Sequence, residues 1–145
     1  MQAADIRTRI ARYQRLLGDA QGDQRQAQGD LTDLQSYQTA HNHVTSRMEE
    51  DLKTRQSYLN QADFSTTQSK IATSLLAGMK DLLDEGHIHL SRRADQARLI
   101  SQEINKAQDK LDSCRRQVSS YQDTLKDLHR QLVVAEREEA LKNVS

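Results

Sequence analysis

The stretch SLLAGMKDLLDEGHIHLS, residues 74–91, decides whether this chain folds as two helices or as three. Asp84 and Glu85 followed by Gly86 suggest a helix end, because glycine favours the C-cap, although acidic residues there oppose the helix dipole. Leu83 and Leu90, however, are seven residues apart, with Gly86 at the core position between them. We therefore predict one continuous or mildly kinked helix. A break near Gly86, giving a three-helix arrangement, is the alternative.

Apolar and small residues recur with steps of three and four on both sides of this stretch, as expected for coiled-coil helices. The C-terminal stripe keeps one phase through Leu76, Met79, Leu83, Leu90, Ala97, Ile100, Ile104, Ala107, Leu111, Cys114, Val118, Tyr121, Leu125, Leu128, Leu132 and Ala135. The N-terminal stripe runs through Ile6, Ile10, Tyr13, Leu17, Ala20, Ala27, Leu31 and Leu34, then drifts through Tyr37, Val44, Met48, Leu52 and Leu59. It is interrupted by Gln24, Gln38, His41, Thr45 and Arg55, polar positions that weaken a seam but fix its register.

The segment NQADFSTTQSK, residues 60–70, separates the two stripes. Asn60 suits a helix end, and Asp63, Ser65 or Thr66 suits the N-cap of the next helix. The predicted fold is all-α: an antiparallel, coiled-coil-like hairpin of two long helices, residues 4–60 and 66–141, in a single elongated domain spanning residues 1–145. A reversal at Asp63 places Ile6 near Ser120.

Composition limits the classes of partner. With 35% hydrophobic and 3% aromatic residues and no proline or tryptophan, the chain buries narrow seams rather than a thick interior. Its 21 basic and 21 acidic residues are interspersed, which argues against nucleic acid and anionic membranes as partners. No window approaches the roughly 20 apolar residues of a membrane span. The single cysteine, Cys114, lies in the apolar stripe and is expected to pack there.

Catalytic patterns are not recognisable in the sequence. The histidines of HNH (41–43) and HIH (87–89) are two residues apart, whereas helical metal pairs need a spacing of three or four. We expect His41 to lie in the seam and the other histidines to be solvated. Acidic clusters such as 49–51 and 136–139 stand beside basic residues, as on ordinary helix surfaces. We predict no enzymatic activity, no metal and no cofactor.

The predicted pairing leaves the C-terminal part of the second helix without a partner. That part carries Leu125, Leu128 and Leu132, together with Val133, Val134 and Leu141. Apolar surface of this extent marks an interaction site. The candidate partner-binding residues are Leu125, Leu128 and Leu132 on one side and Leu76, Met79 and Leu83 on the other. The alternative is that all six form the core of the hairpin. We favour this alternative for Leu76, Met79 and Leu83. For Leu125, Leu128 and Leu132 we favour partner binding.

The segment FSTTQSKIATSLLAGMKDLLDEG, residues 64–86, resembles the corresponding segment of the small helical proteins made alongside LXG-family polymorphic toxins of bacterial type VII secretion systems. The shared layout is a long heptad helix, Phe64 after a short loop, a helix ending in a GMxxLLxxG-like phrase at 78–86, and a long C-terminal helix. The resemblance implies a companion of the toxin's helical N-terminal domain that acts as a targeting factor or chaperone. Since the chain has no tryptophan and no aromatic residue followed four positions later by an acid, an export signal would come from the partner.

The expected function is therefore non-catalytic binding of a larger secreted toxin or effector through an apolar helical seam. The partner is the helical N-terminal domain of that larger protein, a second small helical protein, or both. The alternative is a self-associating coiled-coil scaffold or adaptor, in which case the chain forms a homodimer. The expected location is the cytoplasm, with any export occurring together with the partner and without a cleavable signal.

Overall fold

A computed structural model describes residues 2–61 and 70–144. They form two helices, α1 (Ala3–Gln61) and α2 (Lys70–Val144), and no strand. The helices pack against each other and run in opposite directions, so the predicted all-α antiparallel hairpin is confirmed. The predicted N-caps Asp63, Ser65 and Thr66, the reversal itself and Phe64 lie outside the described residues.

Gly86 lies inside α2, which is continuous from Lys70 to Val144, so the three-helix alternative is wrong. The glycine has no positive φ and serves a close approach rather than a turn. A Cβ built on Gly86 would lie 3.2 Å from Cδ1 and 3.3 Å from Cγ of Leu52, and closer still to Cδ2. The absence of a side chain at residue 86 thus makes room for Leu52 of α1.

Packing divides the chain into two compact units, each combining a part of α1 with a part of α2. The first comprises Met1–Thr32 and Asn105–Ser145, and the second comprises Asp33–Ile104. In the first unit a buried cluster joins Ala3, Ile6, Ile10, Leu125, Leu128 and Ala135, with Tyr13, Leu17 and Leu132 packed against it. In the second unit Leu52, Leu59 and Leu83 form the cluster, with Leu76, Met79 and Leu90 against it.

The predicted pairing of the two helices is wrong. Ile6 packs in one cluster with Leu128 and Ala135 and does not lie beside Ser120. The segment that follows Ser120 is therefore covered by the first turns of α1. A seven-residue repeat can slide along its partner by one or two repeats and still match apolar side to apolar side, so the pattern identified the packed face but not the register.

Polar contacts at the start of α1 hold the register of the first unit. The backbone N–H of Ala3 donates to Oε1 of Glu139 at 3.0 Å, so a side chain from α2 caps the N-terminus of α1. Arg7 forms an ion pair of 2.9 Å with Glu136. Further along, the rings of Tyr13 and Tyr121 meet edge to face at 6.0 Å. These contacts join residues that only this register brings together.

A polar layer holds the second unit. His41 is 5% exposed, and its Nε2 lies 3.2 Å from Oε1 of Gln96. Arg93 donates from Nε to Oγ1 of Thr45 at 2.9 Å and from Nη2 to the carbonyl of His41 at 3.4 Å. Nδ1 of His41 is buried and has no hydrogen-bond partner among the described residues. The predicted position of His41 in the seam is confirmed.

The same layer corrects the predicted stripe of α1. Tyr37 and Val44 were expected to continue the stripe, yet both are exposed. The seam positions beside them belong to His41 and Thr45. Hydrogen bonds across the helices therefore replace apolar packing in this part of the second unit, which favours a single register at some cost in stability.

Gly22 of α1 has free space around it, whereas Gly86 of α2 lies against Leu52, and comparing the two tests the Leu52 contact. We expect Gly22→Ala to raise the free energy of unfolding by about 1 kcal/mol, because no atom lies within 4 Å of the added Cβ and alanine is the better helix former. In Gly86→Ala, overpacking against Leu52 opposes this gain by about 1–3 kcal/mol. Urea unfolding followed by circular dichroism measures both. The two substitutions should become equivalent when Leu52 is replaced by Ala, and equal effects in the wild-type background would contradict the close contact.

The cap on α1 gives a second test. We expect Glu139→Ala to lower the local stability of the first α1 turn by about 1 kcal/mol, as for other lost N-caps. Amide hydrogen exchange of residues in that turn measures the effect. Glu138→Ala, at the exposed neighbouring position, is the matched control and should leave the exchange unchanged. Equal exchange in the two variants would show that the Glu139 contact does not hold the turn.

The polar layer gives a third test. We expect Arg93→Lys to lower the free energy of unfolding by about 1 kcal/mol, because one ammonium on a flexible stem cannot replace both guanidinium hydrogen bonds. Arg92→Lys, on the exposed adjacent residue, should have no effect. Urea midpoints of the two variants decide the question. A loss that is the same for both would mean that the layer contributes nothing specific.

Candidate binding surface

The six predicted partner-binding residues all pack inside the hairpin. Leu125 and Leu128 lie in the cluster of the first unit, with Leu132 against it. Leu83 lies in the cluster of the second unit, with Leu76 and Met79 against it. Their positions therefore agree with the alternative given above, in which all six residues belong to the core of the hairpin. A partner that used them would have to displace the chain's own helix.

Groups suited to chemistry are scattered rather than assembled. Among the described residues no group of three or more His, Cys, Asp and Glu side chains is placed to hold a metal ion. The histidines other than His41 are exposed, and Cys114 is half-buried in the seam. Acidic residues take part in surface ion pairs, such as Asp51 with Arg55 at 3.1 Å.

Large apolar side chains remain exposed on one side of the second unit. Tyr58 of α1 is 66% exposed, and Ile71, Leu75 and Leu82 of α2 are 82%, 59% and 61% exposed. The three α2 residues share one helical face, since they are spaced by four and seven residues. We call these four residues the apolar flank.

A cleft joins the two helices within the apolar flank. It has a volume of about 190 Å³ and is lined by Tyr58, Met79, Leu82 and Leu83, with Arg55 as its charged residue. Tyr58 and Leu82 each stand directly before a core leucine, Leu59 and Leu83. In an antiparallel pair, the residues that precede core positions lie on the same side of both helices, which explains why the two exposed side chains meet.

A second cleft in the second unit has a volume of about 490 Å³. It is lined by Glu49, Lys53, Gln56, Ser57, Asn60, Gln61 and His87, together with Leu52 and Leu90. Most of its lining residues carry polar groups, and none of them belongs to the apolar flank.

Exposed apolar residues also occur near the end of α2, but they are isolated among charges. Val133, Val134 and Leu141 are about half or more exposed, as predicted, while Leu125, Leu128 and Leu132 beside them are not. The cleft next to Val134 is lined by three polar residues, Arg130, Gln131 and Glu138, and three apolar ones, Ile6, Val134 and Ala135. Single apolar residues on a surface are ordinary and identify no site.

The apolar flank was missed in the sequence, although a signal for it is present. The stretch SLLAGMKDLLDEG contains two leucine doublets, 75–76 and 82–83, spaced by seven residues. One leucine of each doublet belongs to the core stripe, and the other extends the apolar face to one side. A stripe two residues wide predicts a helix with more than one neighbour.

No family model, curated protein or solved structure matches this chain. Among the described residues, neither helix contains a segment with the length and apolar character needed to cross a bilayer.

Proposed function

We propose that this chain is a non-catalytic helical binding protein and that it takes a helix of another protein at the apolar flank. The observation that carries the proposal is the exposure of Tyr58, Ile71, Leu75 and Leu82 on a hairpin whose core is already filled from within. These side chains are mostly exposed rather than packed in the core, and water is an unfavourable neighbour for them.

The geometry of the flank favours a helix as the bound element. Apolar side chains spaced by four and seven residues match the repeat of an amphipathic helix laid alongside. The cleft between Tyr58 and Leu82 has room for one large apolar side chain from that helix, with Met79 and Leu83 at its base. Arg55 at the rim, paired with Asp51, offers a polar border. A buried anchor with a polar rim is the usual arrangement of a protein interface.

In its specific form, the proposal is that the chain serves as a targeting factor or chaperone for a larger secreted toxin with a helical N-terminal domain. The support is the resemblance of residues 64–86 to the companions of LXG toxins. In this chain that segment contributes Leu75 and Leu82 to the apolar flank. A second small helical protein is a further candidate for the complex. The function takes place without a cofactor in this proposal.

A second candidate function is self-association as a coiled-coil scaffold or adaptor. The placement of Leu75 and Leu82 at nearly equal distances on either side of Gly78 favours it, because such a stripe can pair with itself.

Capture of the tagged protein from its native cells, with mass spectrometry of the bound material, tests the proposal. We expect recovery of one large protein with a helical N-terminal region and a toxin-like C-terminus. Leu82→Asp should reduce its recovery at least about tenfold, as for the loss of an interface anchor. Leu99→Asp is the matched control, since Leu99 is also 61% exposed but lies outside the flank.

Circular dichroism of both variants verifies that the helices persist. Full recovery of the large protein with Leu82→Asp would show that the flank is not its binding site. Recovery of the bait alone from wild-type protein would contradict the companion function and favour self-association.

A further inference from the structure

We infer that in the free protein the apolar flank is covered by the same flank of a second copy, in an antiparallel, two-fold symmetric dimer. The inference rests on the proposed function, because it takes the flank as a binding surface. It adds the identity of the molecule that covers the flank, which is a second copy of the chain until a larger partner displaces it.

The area of the flank is sufficient for such a dimer. Its four side chains are between 59% and 82% exposed. Four large side chains exposed to this degree are comparable with the largest apolar patches of single chains, about 300–600 Å², which are often functional. Two such patches with their polar rims reach about 1,000 Å² in total, the lower bound for a specific interface.

The order of residues along α2 suits pairing with itself. About a two-fold axis next to Gly78, Leu75 of one copy lies opposite Leu82 of the other, and the reverse contact is identical. No atom lies within 4 Å of the position where a Cβ of Gly78 would be. The two backbones can therefore approach closely at the centre, with the leucines interdigitating on either side.

Charge at the two ends of the stripe selects the antiparallel direction. Lys70 stands at the start of the stripe and Glu85 at its end, and both are exposed. An antiparallel copy brings Lys70 of one chain towards Glu85 of the other, whereas a parallel copy brings like charges together. The formal net charge of the whole chain is zero, so two copies do not repel each other through their overall charge.

The mass of the full chain in solution, measured by light scattering and sedimentation equilibrium over a range of concentrations, tests the inference. We expect about twice the 16.6 kDa of one chain at high concentration, with dissociation on dilution. Leu82→Asp should raise the dimer dissociation constant at least about tenfold. Leu99→Asp should leave it unchanged. A wild-type protein that stays at the mass of one chain throughout, or a dimer that Leu82→Asp does not weaken, overturns the inference.

A charge exchange tests the direction of pairing. Lys70→Glu and Glu85→Lys should each weaken the dimer roughly two- to fivefold, and the double variant should restore it, because opposite charges then meet again. Absence of restoration contradicts the antiparallel arrangement.

The outcomes separate this inference from the proposed function. A monomeric wild type that still binds the larger protein through Leu82 removes the second copy as occupant and leaves the proposed function standing. If the purified protein forms a dimer that depends on Leu82, and capture from native cells recovers only the bait, the second copy is supported as the occupant and the larger partner is rejected.

Discussion

The packing of one narrow apolar stripe of α1 against one of α2 is the interaction on which everything else in this protein depends. Most helical stability in proteins comes from packing of an apolar face, and the chain has almost no aromatic residues to add a second layer. In the second unit the close packing at residue 86 comes from the fit of Leu52 into the space left by a glycine. The residue that most resembles a helix end is therefore a packing residue.

Apolar packing alone leaves such a seam free to slide, and polar contacts remove that freedom. In the first unit the carboxylate of Glu139 caps the N-terminus of α1. In the second unit His41 and Thr45 meet Gln96 and Arg93 across the seam. The pairs Ala3 with Glu139 and Thr45 with Arg93 have no equivalent one repeat away, where Leu132 would replace Glu139 and Gly86 or Ile100 would replace Arg93. The cost is that Nδ1 of His41 is buried without a hydrogen-bond partner among residues 2–61 and 70–144, which an apolar residue would avoid.

Register also decides which apolar residues are left for function. With the first turns of α1 lying on Leu125 and Leu128, the stripe at the end of α2 is filled, and the available apolar surface lies on the flank of the second unit. Tyr58 and Leu82 are brought together there by the pairing of the helices, although they are distant in sequence. A hairpin with a filled core and an exposed apolar flank is suited to packing against further helices, whether from another protein or from a second copy.

Periodicity in the sequence was enough to predict the fold class, the packed face of α2 with its continuity through Gly86, and the seam position of His41. The face of α1 was predicted less well, because its stripe drifts and Tyr37 and Val44 are exposed. The register, and with it the burial of Leu128 under the first turns of α1, became known only from the tertiary structure. The reason is that a repeating pattern matches itself at every shift of one repeat, so the choice among shifts depends on pairs such as Ala3 with Glu139 and Arg93 with Thr45, which become visible only when the helices are placed side by side.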